Sequence, residues 1–386
     1  PLNHPDDTTV TGDTTITNAI LNLPEWNLAI NPLNGPFRFT ENSIVASNMT
    51  GQLLGHPVIL DLQTEQQKNK SAQVKATLQG AIAIGDLKTW LNLPIDEVLQ
   101  GTTQYKTELF LAPPHDSAQP THIVFHSDLQ GISISLPGNY GKKSQDSADF
   151  QADFFVQENQ PIKTRMGYNK LVSTGVVLQH KSGKLKLLSA DVHLGSGDAS
   201  WQTQPGIIMT GNIDHLDVDA LLPYLSRFTE KSQPHSGGVD ADIIDPNLFR
   251  GVDIHVKTAS YSGYELNNLG VQLTKTADNF LLGLNNSDMD GQIIFSRKGL
   301  SRGVQAKFQR LNLSTNIASG KQNPVDPRHL PPISFVGDNV RFGDMNLGHA
   351  VLDLVPDSSG MTVKQMELSS ASYTLRATGN WTSSRS

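Results

Sequence analysis

Cysteine is absent from the 386 residues, so no disulfide framework and no thiolate metal site can form. Nor is there a run of about 18 apolar residues, so no segment reads as a membrane-spanning helix. The first residues, PLNHPDDTT, lack the charged and apolar regions of a signal peptide. Charge is sparse too: charged residues make up 17 % of the chain, against about 25 % in an ordinary soluble protein. A net charge of -7 leaves no concentrated basic surface for phosphates, which excludes a general nucleic-acid binder. The mildly basic stretch from Lys163 to Lys186 is interspersed with Gln, Ser and Gly and reads as a solvated strand face. Aromatic residues are few, with 4 Trp and 7 Tyr, and no carboxylate pair stands near them, so a glycan-cleaving cleft has little to be built from.

What the chain does contain is alternation. In FRGVDIHVKTASYSGYELNNLGVQL, residues 249 to 273, the apolar Val252, Ile254 and Val256 are interleaved with Asp253, His255 and Lys257. That is the period of a strand with one dry and one wet face. KLKLLSADVHLG, GVQAKFQRLNLS and MTVKQMELSSASYTLRATGNW alternate likewise, between turn clusters such as LPGNYGKK, DPNLF and PDSSG. The proline-rich GKQNPVDPRHLPP, residues 320 to 332, reads as a longer irregular loop.

The chain also repeats itself. LGHPVILDL at 54 to 62, LGHAVLDL at 347 to 354 and NLGVQL at 268 to 273 each follow a strand-like run with a Gly-containing turn. Each reads as a hairpin whose second strand begins at the Leu-Gly pair. Gly80 and Gly211 each precede an aspartate by six residues, Asp86 and Asp217, and a Leu-rich segment follows. Those aspartates predict the starts of two short amphipathic helices, near 87 to 100 and 218 to 230.

The short motifs that suggest chemistry read as structure. GLSRG at 299 to 303 matches the Gly-x-Ser-x-Gly of a nucleophile elbow, but the strand-like VQAKFQRLNL follows where a helix is required, so Ser301 is assigned to a hairpin turn. NNSDMDGQIIFSR places Asn286, Asp288, Asp290 and Gly291 in the order of a calcium loop, yet its twelfth position is Arg297; an Asp-Gly turn between strands is the reading. His122 and His126 are four apart in a strand context, a span of about 13 Å, too far for one ion. HLGSGDAS lacks the third glycine and the helix of a dinucleotide fingerprint. No catalytic residue, metal ligand or cofactor is assigned.

The ordered elements carry a family resemblance across most of the chain. FRFTENSIVASNMTGQLLGHPVILDL at 37 to 62, WQTQPGIIMTGNIDHLDVDALLPYL at 201 to 225, and the strand series from 335 to 381 ending in Gly379 and Trp381 resemble the AsmA-like superfamily, and within it the YhdP-type proteins of Gram-negative bacteria. One departure is Leu221, where the family often has Trp.

The resemblance implies an all-β fold with a few short helices: a long twisted antiparallel sheet, built from repeating strand units and curled into an open hydrophobic groove. It further implies phospholipid as partner, transport between inner and outer membranes, and a periplasmic location tethered by a transmembrane segment outside this chain. Residues 1–386 are then one internal β-groove segment, with approximate units 1–130, 131–245 and 246–386. On that reading, Val252, Ile254, Val256, Phe280, Leu282, Leu284, Val304, Phe308, Val363 and Leu375 form the lipid-binding floor, and a charge at Ile254 blocks lipid without unfolding the chain. The competing expectation is a β-repeat scaffold or adhesin-like module whose faces close on each other as a packed core.

Overall fold

The computed structural model describes residues 10–23, 26–65, 72–91, 98–111, 120–181, 184–221, 248–313 and 326–382. The fold is all-β, as the alternation predicts, and its sheet is open rather than closed into a barrel. Among the described residues, no helix is long and apolar enough to cross a membrane.

Two compact units are present. The first is drawn from residues 1–191 and 198–205. Its strands are β1 (Thr11–Leu23), β2 (Leu28–Thr40), β3 (Ile44–Leu53), β4 (His56–Glu65), β5 (Gln73–Ala83), β6 (Leu99–Leu111), β7 (Thr121–Ser127), the short β8 (Ile132–Ile134), β9 (Phe150–Val156), β10 (Ile162–Tyr168) and β11 (Val172–Lys181). From β1 to β7, and on through β9, β10 and β11, each strand pairs antiparallel with the next, while β8 pairs with the start of β6. One face carries a cluster of Ile30, Leu33, Met49, Val58, Leu60, Leu78 and Tyr105. β12 (Lys184–Leu194) follows.

The second unit comprises 192–197 with the described parts of 206–236 and 246–386. It holds β13 (Gly206–Asp217), β14 (Phe249–Tyr261), β15 (Tyr264–Lys275), β16 (Asn279–Asn285), β17 (Met289–Ser296), β18 (Val304–Leu313), β19 (Ile333–Phe342), β20 (Met345–Pro356), β21 (Gly360–Ser369) and β22 (Thr374–Thr382). Neighbours pair antiparallel except at β13–β14 and β18–β19, which are parallel. These two junctions qualify the antiparallel expectation. Parallel neighbours need a crossover of about a dozen residues or more, and the chain between these pairs runs through 218–248 and 314–332. The predicted irregular loop lies in the second crossover; of it, 326–332 are described and include a single 3-10 turn, Pro327–His329.

Several local expectations need correction. Helix α1 spans Ile84–Leu91, not 87 to 100, because Leu99 and Gln100 already pair with β8. Asp86 therefore lies inside the first turn, where it meets His56 Nε2 at 2.7 Å. The second aspartate does cap its helix: Asp217 Oδ1 accepts from Ala220 N at 2.9 Å. Residues 218–221 are helical, and the rest of that prediction lies outside the described residues.

The three hairpins exist, but their second strands do not begin at Leu-Gly. Leu54 and Gly55 are themselves the β3–β4 turn, with φ of 51° and 81°, and Ser262 and Gly263 make the β14–β15 turn with 49° and 83°. Leu269–Gly270 and Leu347–Gly348 fall within β15 and β20. Sequence similarity tracked the apolar spacing, whereas the turn is placed by whichever residues accept positive φ. Asp290–Gly291 likewise lies in β17; the turn is Asn286 to Asp288, where Asn286 Oδ1 accepts from Asp288 N and Met289 N.

Candidate functional site

Strand register decides which residues share a face, because side chains alternate across a pleated sheet. In the second unit, one cross-strand row runs Val252, Leu273, Leu282, Ile293, Ala306, Phe335, Leu352, Met366. The next runs Ile254, Val271, Leu284, Gly291, Phe308, Gly337, Ala350, Leu368, Leu375. A third runs Lys275, Phe280, Phe295, Val304, Ile333, Leu354, Val363. Apart from Lys275, these rows are apolar or glycine across β14 to β21.

The opposite face reads Asp253, Gln272, Gly283, Gln292, Lys307, Val336, Val351, Glu367, Arg376 along the same strands. One face is therefore oily over eight strands, and the other is mostly polar, with apolar pairs at Leu281–Ile294 on β16 and β17 and at Val336–Val351 on β19 and β20.

The register places nine of the nominated residues in these three rows, and Val256 lies on the same face two residues beyond Ile254. Their exposure differs. Val256 is wholly buried, Ile254 and Phe308 are 9 % and 8 % exposed, and Leu375 is 43 % exposed. Val252, Phe280, Leu282, Leu284, Val304 and Val363 are half-buried. Val256 is completely buried within the cluster it forms with Ile213, Ala259, Leu269 and Met289. The half-buried residues are those that still present apolar surface.

Aromatic rings stiffen the floor. Phe280 stands 5.5 Å from Phe295 and 6.1 Å from Phe249, centroid to centroid. Phe308 lies over Gly291 and 6.2 Å from Phe335. Ile293, Phe295, Leu273, Phe335 and Leu352 belong to the floor but were not nominated from sequence. The run Ile293, Ile294, Phe295 is continuously apolar and hides its alternation; pairing Leu282 with Ile293 resolves it.

The first unit has a comparable face. Tyr105, 7 % exposed, stacks on Phe125 at 5.3 Å, and burial pushes its phenol up to about 12. On the other face of that unit, His122 is stacked 4.6 Å from Phe155 and 5.9 Å from Phe110, and its Nε2 meets Asp153 Oδ1 at 2.8 Å. His126 Nδ1 instead meets the Phe150 carbonyl at 3.2 Å. Among the described residues no group of His, Asp and Glu is arranged to hold a metal. Ser301 sits in the 3-10 turn Leu300–Arg302 between β17 and β18, a hairpin connection and not the strand-to-helix junction of a nucleophile elbow.

No match to the chain is found among curated proteins or solved structures. The family model described as "YhdP protein" matches residues 1–386. With an open curled sheet and this apolar face, the chain belongs to the YhdP family, and its architecture fits a family of lipid-transport proteins.

Proposed function

We propose that the apolar face binds phospholipid acyl chains and that the chain is a periplasmic bridge segment conducting lipid between the inner and outer membranes, to which it is joined through parts outside these residues. The observation that carries this reading is the set of parallel apolar rows on one face of an open sheet, with a mostly polar face behind. Half-buried Leu, Val and Phe side chains leave apolar area in water, and covering it is favourable by roughly 25 cal/mol per Å². An acyl chain supplies that cover and asks for no specific polar partner. The units near 1–130, 131–245 and 246–386 are proposed as repeats of the groove; the parallel β13–β14 junction lies close to the last of these boundaries.

The test is a photo-crosslinking amino acid placed at Leu282, on the floor, and at Gln292, on the opposite face, followed by mass spectrometry of the captured adduct. Phospholipid is expected at 282 and not at 292. Equal labelling at both positions, or no lipid at either in a folded chain, overturns the proposal.

A further inference from the structure

Trp26 stands two residues before β2, yet its ring centroid lies 5.5 Å from that of Phe154 on β9, edge to face at 86°. Along the sheet these two strands are far apart. The pairings β2–β3, β3–β4, β4–β5, β5–β6, β6–β7 and β7–β9 separate them, and six steps of about 4.8 Å come to roughly 29 Å. Two residues of chain span about 7 Å, which with two side chains does not cover that length. The first unit's sheet therefore curls toward itself here, and Trp26 reaches across its concave side.

That side is the apolar one. Phe154 continues the cross-strand row Leu62, Ala76, Leu109, Ile123, and Leu62 and Leu109 pack against the unit's buried cluster. Helix α1 holds Trp26 from behind: Trp90 Nε1 donates to the Trp26 carbonyl oxygen at 2.7 Å. Leu87, Trp90 and Leu91, spaced i, i+3 and i+4, form the half-buried side of the helix, while Gly85, Lys88 and Thr89 are exposed. Near its other end, Asp86 Oδ2 meets His56 Nε2 at the start of β4. The helix is thus tied to the sheet at one end and to Trp26 at the other. An edge-to-face ring pair and one hydrogen bond together favour the closed contact by roughly thirtyfold, enough to keep the bridge shut at rest and little enough to let it open.

We propose that Trp26 and Phe154 form a gate across the apolar face of the first unit, with α1 as its mount, and that a phospholipid reaches the floor at Leu109 and Ile123 only when Trp26 swings off Phe154. The proposal rests on the acyl-chain reading above. Acyl chains lie against the floor, whereas the headgroup stays in water on the open side, since burying its charge without a partner is costly. The two rings occupy that open side. A headgroup therefore meets the bridge, and the bridge opens for each lipid that enters.

The test uses the 386-residue chain, which has no cysteine of its own, and phosphatidylglycerol vesicles as the probe. A photo-crosslinking amino acid at Ile123 reports lipid beneath the gate, and one at Leu282 reports lipid on the second unit's floor; mass spectrometry reads the rate of adduct formation at each. Trp26→Cys with Phe154→Cys is joined by a short bis-maleimide, and the same variant capped with N-ethylmaleimide is its open counterpart. Joining is expected to slow labelling at 123 about tenfold or more relative to capping, and to leave labelling at 282 unchanged. Trp26→Ala is expected to speed labelling at 123 by up to about thirtyfold, and Trp26→Phe to stay near wild type. Equal rates at 123 in joined and capped protein overturn the gate, as does a folded Trp26→Ala chain that labels no faster than wild type; Trp26 is then a packing residue. If Trp26→Ala loses its strand circular dichroism, the joined and capped proteins, which share one sequence, decide alone. Labelling at 282 with none at 123 in any variant also overturns the gate and spares the acyl-chain reading. Absence of lipid at both positions in every variant removes the acyl-chain reading itself.

Discussion

Phe308 on β18 lies across Gly291 on β17: a Cβ at 291 would stand 2.5 Å from the ring's Cγ and 2.5 Å from the Lys307 carbonyl oxygen. The pair explains how a phenylalanine in the middle of the floor is only 8 % exposed. Its ring is laid down on the neighbouring strand instead of standing up into the groove.

Gly291→Ala is therefore expected to destabilise the chain by about 1–3 kcal/mol, the usual cost of forcing extra volume into a packed site. Because one of the clashing atoms is backbone, rotating Phe308 away relieves only part of it. Gly283→Ala is the control, since its nearest neighbours are ordinary contacts at 3.7 and 3.8 Å; a change within about 0.5 kcal/mol is expected. Denaturant midpoints at constant slope compare the two, and equal effects would contradict the packing described here.

A charge at Ile254 is a second case. From alternation alone it blocks the groove and spares the fold, but at 9 % exposure, packed with Ile213 and Val256, Ile254 is core. Ile254→Asp is expected to cost several kcal/mol, because the carboxylate is desolvated without a partner. His255→Asp, exposed on the other face, is expected to stay within about 0.5 kcal/mol. Thermal unfolding of both variants decides the matter; a stable Ile254→Asp chain would mean that the floor there opens readily.

These two cases mark what was legible in the sequence. Period-two alternation assigned Val252, Ile254 and Val256 to one face correctly, because facing follows from the pleat alone. It could not rank them by burial, since burial depends on neighbours such as Ile213 and Met289, which other strands bring in. The glycine-containing turns at Gly263 and Gly343 fall where the sequence reading puts them, but the strands that follow begin at Tyr264 and Met345 and not at Leu269 and Leu347, and the first turn is at Leu54–Gly55 and not near Gly51. The parallel junctions were invisible because nothing local distinguishes a strand that returns by a crossover.

The β20–β21 turn supplies a prediction in pH. Asp357 Oδ1 accepts from Ser359 N at 2.7 Å, Ser359 Oγ at 2.7 Å and Gly360 N at 3.0 Å, and Oδ2 accepts from Thr362 Oγ1 at 2.7 Å. Hydrogen bonds from the Ser359 and Thr362 hydroxyls, then from backbone amides, hold its carboxyl down to about 2. Every one of those donors favours the ionised form. With the folded value below the unfolded one, the unfolded chain binds the proton first, so the stabilisation is present above an unfolded value near 4 and is lost as pH falls through about 2. Asp357→Asn keeps one acceptor oxygen but no charge, and it is expected to flatten this group's share of the acid loss between about pH 4 and pH 2 while leaving the neutral-to-alkaline profile unchanged. Ser359→Ala removes the leading donor and is expected to move the acid limb to higher pH. Chemical denaturation of the three proteins across that window measures both effects, and an Asp357→Asn chain that keeps the full wild-type acid slope would show that the carboxylate does not hold the turn.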